Sequence, residues 1–362
     1  MPEIWLNYGP TDVVLDIRAE NLDKKIDSKG TILTDPEIIS KLEQTDLSKP
    51  TELVVLDHSK AVQKVISLLF DICNQKPIQK PRLLVDKPSM HLMKSIFTDP
   101  NLAIAEFSDV QLSNSNLIFV GEMEFDGLFG FNTISTKLIR RFGKEHMLAA
   151  YEKRKGNLPA PGEELANFAV AQKFTDSFEI SAIEIVGNSE GVIDLSTGHP
   201  STTSSISKSF IPIATNEIGK HRTMIISPGK ESGGETLGRA LASLWNCSEA
   251  IKEEGLAILL AECRRGVGSE AIQQYMEGRM NLDRLKNPAK YVDGMEDLLF
   301  LTEVAKKFQI GIVSILPEFY TKEKLGMIAF SGIKEAMDYI LKTHGVRQKV
   351  AVVSGGSYVL LR

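Results

Sequence analysis

Four polar residues follow the first clearly apolar strand of the chain. The segment Glu52–Leu56 reads as a short strand that leads into Asp57, His58, Ser59 and Lys60, and the run AVQKVISLLFDICNQ after them repeats apolar residues at helical spacing. A carboxylate, an imidazole, a hydroxyl and an ammonium group are thereby expected at one strand-to-helix turn, where α/β proteins bind ligands. The alternative is structural: Asp57 or Ser59 caps the helix, and His58 and Lys60 are solvated.

A second group of polar residues follows the predicted buried strand NLIFVG, residues 116–121. The run GEMEFDGLFGFNTISTK places Glu122, Glu124 and Asp126 close together, with Lys137 shortly after them. In an extended segment Glu122 and Glu124 share one face, and their repulsion would raise a pKa toward the range of a general acid or base. A solvated acidic loop is the alternative.

A βαβ pattern lies in the C-terminal half. The apolar runs Thr223–Ile226 and Leu256–Glu262 flank a helical segment, and each is followed by a glycine-containing turn. Gly233 and Gly234 would let backbone N–H groups approach a ligand, and Arg239 lies on the helix that follows. Alternatively the glycines only tighten the turn, because SGGETLG matches neither GxGxxG nor a P-loop.

Alternating strand and helix patterns position these residues. They predict an α/β protein of two domains, each with a mostly parallel sheet flanked by helices, and a cleft between them. A Ser/Thr-rich stretch from about residue 196 to 220 suggests a division into domains 1–215 and 216–362. A basic amphipathic helix is predicted over Leu138–Tyr151, and its charged face either is solvated or binds phosphate.

Composition limits the kinds of partner. The 362 residues carry a formal net charge of −5 and a pI near 5.8, which gives no indication of binding to nucleic acid or to an anionic membrane. No apolar run reaches the roughly 20 residues of a membrane span and no signal peptide is visible, so a cytoplasmic location is expected. Cys73, Cys247 and Cys263 are far apart, which predicts buried free thiols rather than disulfides or a zinc site.

The order and the local sequences of these motifs resemble those of the nickel-dependent lactate racemase family over nearly the whole chain. The tetrad 57–60 resembles the family's aspartate-histidine-threonine-arginine turn, and Glu124–Phe131 resembles its glutamate-rich, glycine-phenylalanine loop ahead of a lysine. Further matching segments are the turn Gly156-Asn157-Leu158, the SGGE loop at 232–235, the AEC…GVG turn and the closing SGGS.

The resemblance implies a racemase or epimerase of a 2-hydroxy acid or sugar acid that transfers hydride transiently to a nickel pincer cofactor, a pyridinium-dithio mononucleotide. It implies a tether to that cofactor through Lys137, two histidines that carry the hydroxyl proton, and cofactor-maturation proteins as partners. The cofactor-binding residues implied by the same resemblance are Asp57, His58, Ser59, Lys137, Gly233 and Gly234.

The catalytic and metal positions depart from the family's pattern. Asp126 stands where the family has one catalytic histidine, and His91, alternatively a surface residue, is the nearby candidate for the other. Lys60 replaces an arginine for the substrate carboxylate, which keeps the charge but loses the bidentate fork, and Arg239 lies one turn before the position of an expected lysine. The candidate metal ligands are Tyr151, at the position of the family's metal-binding histidine, and His146 about one helical turn away.

Two other functions stay open on the sequence. The first is a non-catalytic protein that binds a nucleotide or small molecule and has kept the fold but lost the proton-shuttling histidines. The second is a nucleotide-dependent dehydrogenase, which is disfavoured because no dinucleotide-binding glycine fingerprint is present.

Overall fold

The computed structural model describes residues 3–76, 78–107, 116–154, 156, 158 and 160–362, with the backbone alone at Glu231; Asn157 of the matching turn lies outside the described residues. The strands are β1 Glu3–Tyr8, β2 Thr11–Asp16, β3 Leu22–Ile26, β4 Glu52–Val55, β5 Arg82–Val85, β6 Ile104–Glu106, β7 Leu117–Glu122, β8 Glu124–Asp126, β9 Gly130–Asn132, β10 Ser181–Gly187, β11 Val192–Gly198, β12 Thr215–Asn216, β13 His221–Ile226, β14 Ile251–Leu260, β15 Gln309–Val313, β16 Ile328–Phe330, β17 Val350–Val353 and β18 Leu360–Leu361. The helices are α1 Asp35–Leu42, α2 Lys60–Gln75, α3 Met90–Ile96, α4 Ile134–Phe142, α5 Lys144–Glu152, α6 Phe168–Thr175, α7 Pro200–Thr203, α8 Ser207–Ala214, α9 Leu237–Cys247, α10 Glu270–Met276, α11 Met295–Val304 and α12 Ile333–His344. None of the helices in this part of the chain is long and apolar enough to cross a membrane.

The first unit is built on a six-stranded sheet in the order β11-β10-β7-β4-β5-β6. Its neighbours are parallel except for the antiparallel pair β10 and β11. Successive residues of β4 point to opposite faces, so that Leu53 and Val55 pack in the cluster with α1 and α2 whereas Val54 packs in the cluster with α4. Helices therefore cover both faces, as a parallel sheet requires.

The second unit is built on another six-stranded sheet, in the order β16-β15-β14-β13-β17-β3, with every neighbouring pair parallel. One face packs against α9, α10 and α11, and the other packs against α12 and the hairpin of β1 and β2. The predicted fold class, two α/β units with mostly parallel sheets, is confirmed. Strand β3 comes from the N-terminal segment yet pairs in this second sheet, and the division at residue 215 stays a prediction.

The basic segment Leu138–Tyr151 is not the single helix that its apolar spacing predicts. Helix α4 ends at Phe142 and helix α5 begins at Lys144. Gly143 between them has φ −110° and ψ 43°, which is not helical, and a Cβ there would lie 3.0 Å from the Phe174 ring. The prediction was wrong because periodicity does not register a glycine break.

The cysteines are free and buried, as predicted. Burial raises the pKa of the Cys263 thiol to about 12, and it raises the pKa of Cys247 as well. A cysteine acts as a nucleophile or a metal ligand in its thiolate form. Because the raised pKa values keep these thiols protonated, they act as apolar core side chains.

Candidate functional site

A cavity of about 760 Å³ lies between the two sheets. From the first unit it is lined by Asp57, which follows β4, and by Lys137 on α4. From the second unit it is lined by Ser232 in the turn after β13, Arg239 on α9 and Asp297 on α11. The cavity therefore lies beyond the carboxyl ends of parallel strands and has a volume typical of a small-molecule site, so the predicted cleft is confirmed.

Two residues of the tetrad begin helix α2. Ser59 is its N-cap, and the Ser59 hydroxyl oxygen accepts a hydrogen bond from the Val62 N–H at 3.3 Å. Lys60 is the first residue of the helix; its side chain is exposed and is not part of the cavity lining. The capping interpretation therefore holds for Ser59, and the structure does not bring Lys60 to the cavity.

Asp57 and Lys137 form an ion pair on the cavity wall. The Lys137 Nζ lies 2.5 Å from the Asp57 Oδ2 and 2.5 Å from the carbonyl oxygen of Glu122. The Asp57 Oδ2 also accepts the N–H of Glu122 at 2.9 Å. Burial disfavours the ammonium ion, but the charges of Asp57 and Glu124 together with the Asp57 hydrogen bond outweigh it and raise the pKa of Lys137. The amine is therefore protonated and would have to lose that proton before forming a covalent bond.

A buried carboxylate that the sequence analysis missed lies under the start of α4. Glu184 on β10 is fully buried, and each of its oxygens accepts the Ile134 N–H at 3.1 Å. Burial raises the pKa of Glu184 to about 7, although the nearby Lys137 ammonium opposes the shift. A single glutamate inside the apolar run SAIEIVG was the available signal.

Asp126, the candidate base, is held by two partners. Its Oδ2 lies 2.8 Å from the Arg140 Nη2, and its Oδ1 accepts the Phe129 N–H at 2.7 Å. The Arg140 Nη1 in turn lies 2.5 Å from the Glu296 Oε1. The sequence could not predict this bridge, because 156 residues separate Arg140 from Glu296. Proton transfer to Asp126 would neutralise a carboxylate that is ion-paired.

Asp297, which sequence reasoning also missed, lines the cavity but, unlike Asp126, is not ion-paired to another described residue. Among the described residues it has neither a hydrogen-bond partner nor an ion-pair partner, and its neighbour Glu296 is only 3% exposed. Burial, and next the charge of Glu296, raise the pKa of Asp297 well above its ordinary value. In the sequence two acidic residues at a helix start indicate only compensation of the helix dipole.

Lys230 joins the second unit to the acidic loop of the first. Its Nζ lies 3.4 Å from the Glu122 Oε2 and is also paired with Glu124. Burial alone would raise the pKa of Glu124, but the charges of Lys230 and Lys137 together outweigh burial and lower that pKa to about 2. The expectation that repulsion raises a pKa in this pair is therefore wrong for Glu124, while burial does raise the pKa of Glu122. Lys230, 108 residues from Glu122, is the main reason.

The glycine turn before α9 makes close contacts and hydrogen bonds with other parts of the protein. Gly233 lines the cavity, whereas Gly234 does not. A Cβ at Gly233 would lie 2.7 Å from a neighbouring proline side chain. The N–H groups of Leu237 and Gly238 donate to carbonyl oxygens at 266–267, at 3.1 and 2.9 Å. These backbone donors, expected to face a ligand, are therefore satisfied within the protein, which favours the tight-turn interpretation.

The remaining candidates are not brought together. His91 on α3 and His146 on α5 are exposed, and neither lines the cavity. Tyr151 is fully buried, its hydroxyl donates to the Leu285 carbonyl oxygen at 2.8 Å, and burial raises its pKa to about 12. Within the described ranges, no three His, Cys, Asp or Glu side chains form a group that could hold a metal ion.

The donor set does not fit a nickel pincer cofactor. Lys137 lines the cavity, as a tethering lysine would. No histidine or cysteine of the described residues lines it, although nickel is best served by imidazole and thiolate ligands. The tether position is therefore present, whereas the expected metal ligand is not.

Comparison with solved structures shows the same fold at low sequence identity. The lactate racemase apoprotein from Thermoanaerobacterium thermosaccharolyticum matches with a TM-score of 0.73 and 15% identity, covering 100% of both chains. A Thermotoga maritima protein solved by the Northeast Structural Genomics Consortium matches with a TM-score of 0.65 and 11% identity, covering 92% of this chain and 99% of the other. No family model and no curated protein sequence matches the chain.

Proposed function

We propose that this chain is an isomerase of the racemase or epimerase type that binds a small 2-hydroxy acid in the cavity between the sheets. The likeness of its fold to that of a lactate racemase supports the class. The observation that carries the proposal is Asp297, a carboxyl group that lines the cavity without an ion-pair partner among the described residues and whose pKa is raised well above its ordinary value. A perturbed acid in a concave site indicates function, because a structural acid is usually paired or exposed.

Two cations would hold the substrate's carboxylate. Lys144 and Arg239 line the cavity, and Lys144 has no ion-pair partner among the described residues. An ammonium group attracts a carboxylate as a point charge, and a guanidinium group fixes its orientation through paired N–H donors. With the carboxylate held by these residues, C2 remains for proton exchange with Asp297.

Two groups with raised pKa values line the cavity from opposite units, Lys137 and Asp297. Inversion at a carbon atom needs hydrogen to leave from one face and return to the other. In each direction one of the two groups serves as the base, after it has lost its own proton. Since both pKa values are raised, turnover by this route should increase with pH above neutrality. The route uses these two side chains alone and no nickel group, which the residues present do not fit.

A second candidate function is non-catalytic binding of a small anionic molecule. It is favoured by the contacts of Asp126, which is tied to Arg140 and to a backbone N–H, and by the absence of any imidazole among the described residues that line the cavity. A cavity whose acids are mostly ion-paired can select an anion without moving protons.

Incubation of the protein with 2-deuterated lactate, glycerate and larger hydroxy acids tests the proposal, with chiral chromatography and NMR at C2 as the readouts. Racemisation with loss of deuterium to water is the expected result. Asp297→Asn should slow it at least about 100-fold while ligand affinity changes only a few-fold, because the general acid is lost and the carboxylate-binding cations remain. Asp338→Asn, an exposed change on α12, is the matched control.

The other outcomes separate the alternatives. Binding without turnover would support the non-catalytic protein. Racemisation that retains the deuterium would replace the proton route with hydride transfer. Failure of every hydroxy acid to bind would overturn the isomerase, and failure of other small anions such as inorganic phosphate to bind as well would overturn the second candidate.

A further inference from the structure

One buried carboxylate at the rim of the cavity gathers several cations. Glu235, in the turn before α9, is 3% exposed. Its oxygens lie 3.0 Å from the Arg264 Nη2, 3.1 Å from the Arg265 Nη1, 3.5 Å from the Arg239 Nη1 and 3.6 Å from the His58 Nε2. These residues are called the Glu235 cluster below.

The cluster carries more positive than negative charge. Among the side chains that the structure describes, Glu235 is the sole carboxylate within 4 Å of the guanidinium groups of Arg239 and Arg265, and the charge of Arg239 also lowers the pKa of Glu124. Burial would raise the pKa of Glu235, but the hydrogen bonds with His58 and Arg264 and the charges of His58 and Arg239 lower it to about 2, so the carboxylate stays charged. A single negative charge cannot neutralise two guanidinium groups, and the surplus favours a further anion.

The arginines also keep unused donors that reach solvent. Each guanidinium group has five N–H donors, and Arg265 uses only its Nη1 in the described contacts. The side chain of Arg265 is 39% exposed and that of Arg239 is 48% exposed. Glu235 holds one edge of each fork, so the remaining N–H groups are oriented before any ligand arrives.

The cluster adjoins the cavity, because Arg239 belongs to both. Arg265 lies in the turn after β14, outside the cavity lining. A ligand held in the cavity would therefore reach the rim with a second anionic group, several bonds from the group near Asp297.

We infer that the Glu235 cluster binds the phosphate group of a phosphate monoester, so that the cavity accepts a phosphorylated hydroxy acid. A second carboxylate would bring one negative charge, whereas a phosphate monoester brings close to two at neutral pH, with three acceptor oxygens. The fork of Arg265, with the N–H donors of Arg239 that do not contact the substrate's carboxylate, matches that charge and geometry better than it matches a second carboxylate. The identity of the whole substrate rests on the proposed isomerase function, but the phosphate site does not.

Isothermal titration calorimetry of the full chain with inorganic phosphate tests the site. At 0.1 M salt the Debye length is about 10 Å, so attraction from charges farther away than that is largely screened. Wild-type protein should bind phosphate saturably. Arg265→Gln should weaken binding about 10-fold or more, because a charge-assisted hydrogen bond is lost. Arg222→Gln, which removes an exposed arginine at the amino end of β13, should leave binding within about 2-fold. Thermal unfolding of each variant shows that the fold is intact.

Absence of saturable phosphate binding by the wild type would overturn the inference, as would equal weakening by Arg222→Gln and Arg265→Gln. If Arg265→Gln unfolds, Arg265→Lys provides the second test: it keeps the charge but loses the fork, and phosphate affinity should fall while binding of unphosphorylated lactate stays unchanged. Phosphate binding without turnover of any hydroxy acid would uphold the site and refute the isomerase. Turnover without phosphate binding would do the reverse.

Discussion

Replacement of Glu184 by glutamine should make the stability of the protein less sensitive to rising pH. The ordinary pKa of a glutamate is 4.5, and burial raises the pKa of Glu184 in the folded protein to about 7. Because the folded state then holds the proton more tightly than the unfolded state, this group opposes folding least below pH 4.5. Its cost grows as the pH rises and reaches its full value above pH 7.

The structure fixes the size of the effect. A difference of about 2.5 pH units at 1.36 kcal/mol each corresponds to about 3 kcal/mol of unfolding free energy. Glutamine keeps an oxygen that accepts the Ile134 N–H at the start of α4, but it cannot ionise. The difference between wild type and Glu184→Gln therefore isolates the titration of this carboxyl from other pH effects.

Urea unfolding of both proteins at several pH values from 5 to 8 measures that difference. Wild type should lose about 2 to 3 kcal/mol relative to Glu184→Gln over this range. Glu253→Gln, at an exposed position of β14, should show no such trend. A difference that stays constant with pH, or a relative gain by wild type as the pH rises, would refute the reasoning, since it would mean that the folded protein holds Glu184 as readily ionised as the unfolded chain does.

Two further changes test the packing around the site. Arg140→Met leaves the carboxylates of Asp126 and Glu296 without their shared cation. It should lower the free energy of unfolding, measured in urea, by about 3 to 5 kcal/mol. A loss below about 1 kcal/mol would show that water screens the bridge. Gly130→Ala, at φ +83°, would place a Cβ onto the backbone oxygen of Glu163, whereas Gly266→Ala, at φ +77°, meets nothing within 4 Å. Both substitutions should lower the free energy of unfolding by about 1 kcal/mol or more, because alanine disfavours the left-handed backbone. Gly130→Ala should lower it clearly further because of the overlap, and equal losses would contradict that overlap.

The fold and the edge of the sheet that carries the site could be predicted from local sequence patterns. Short apolar runs followed by helical spacing predict parallel strands, and parallel strands bring their carboxyl ends to one edge. For this reason the residues after β4, β7 and β13 were expected near one cleft, and Asp57, Lys137 and Arg239 do line it. The cap at Ser59 is also local, because its partner lies three residues away.

The chemical state of the site depends on neighbours that come from distant parts of the chain. Arg140 meets Glu296 from the other unit, and Lys230 meets Glu122 across the same boundary. A pKa is set by burial and by the nearest charges, and neither is a property of residue type or of spacing along the sequence. The sequence by itself therefore determined two α/β units and a cleft between them. Only the tertiary structure decided that the pKa of Asp297 in that cleft is raised while that of Glu124 is lowered, because only packing brings buried acids and their counter-ions together.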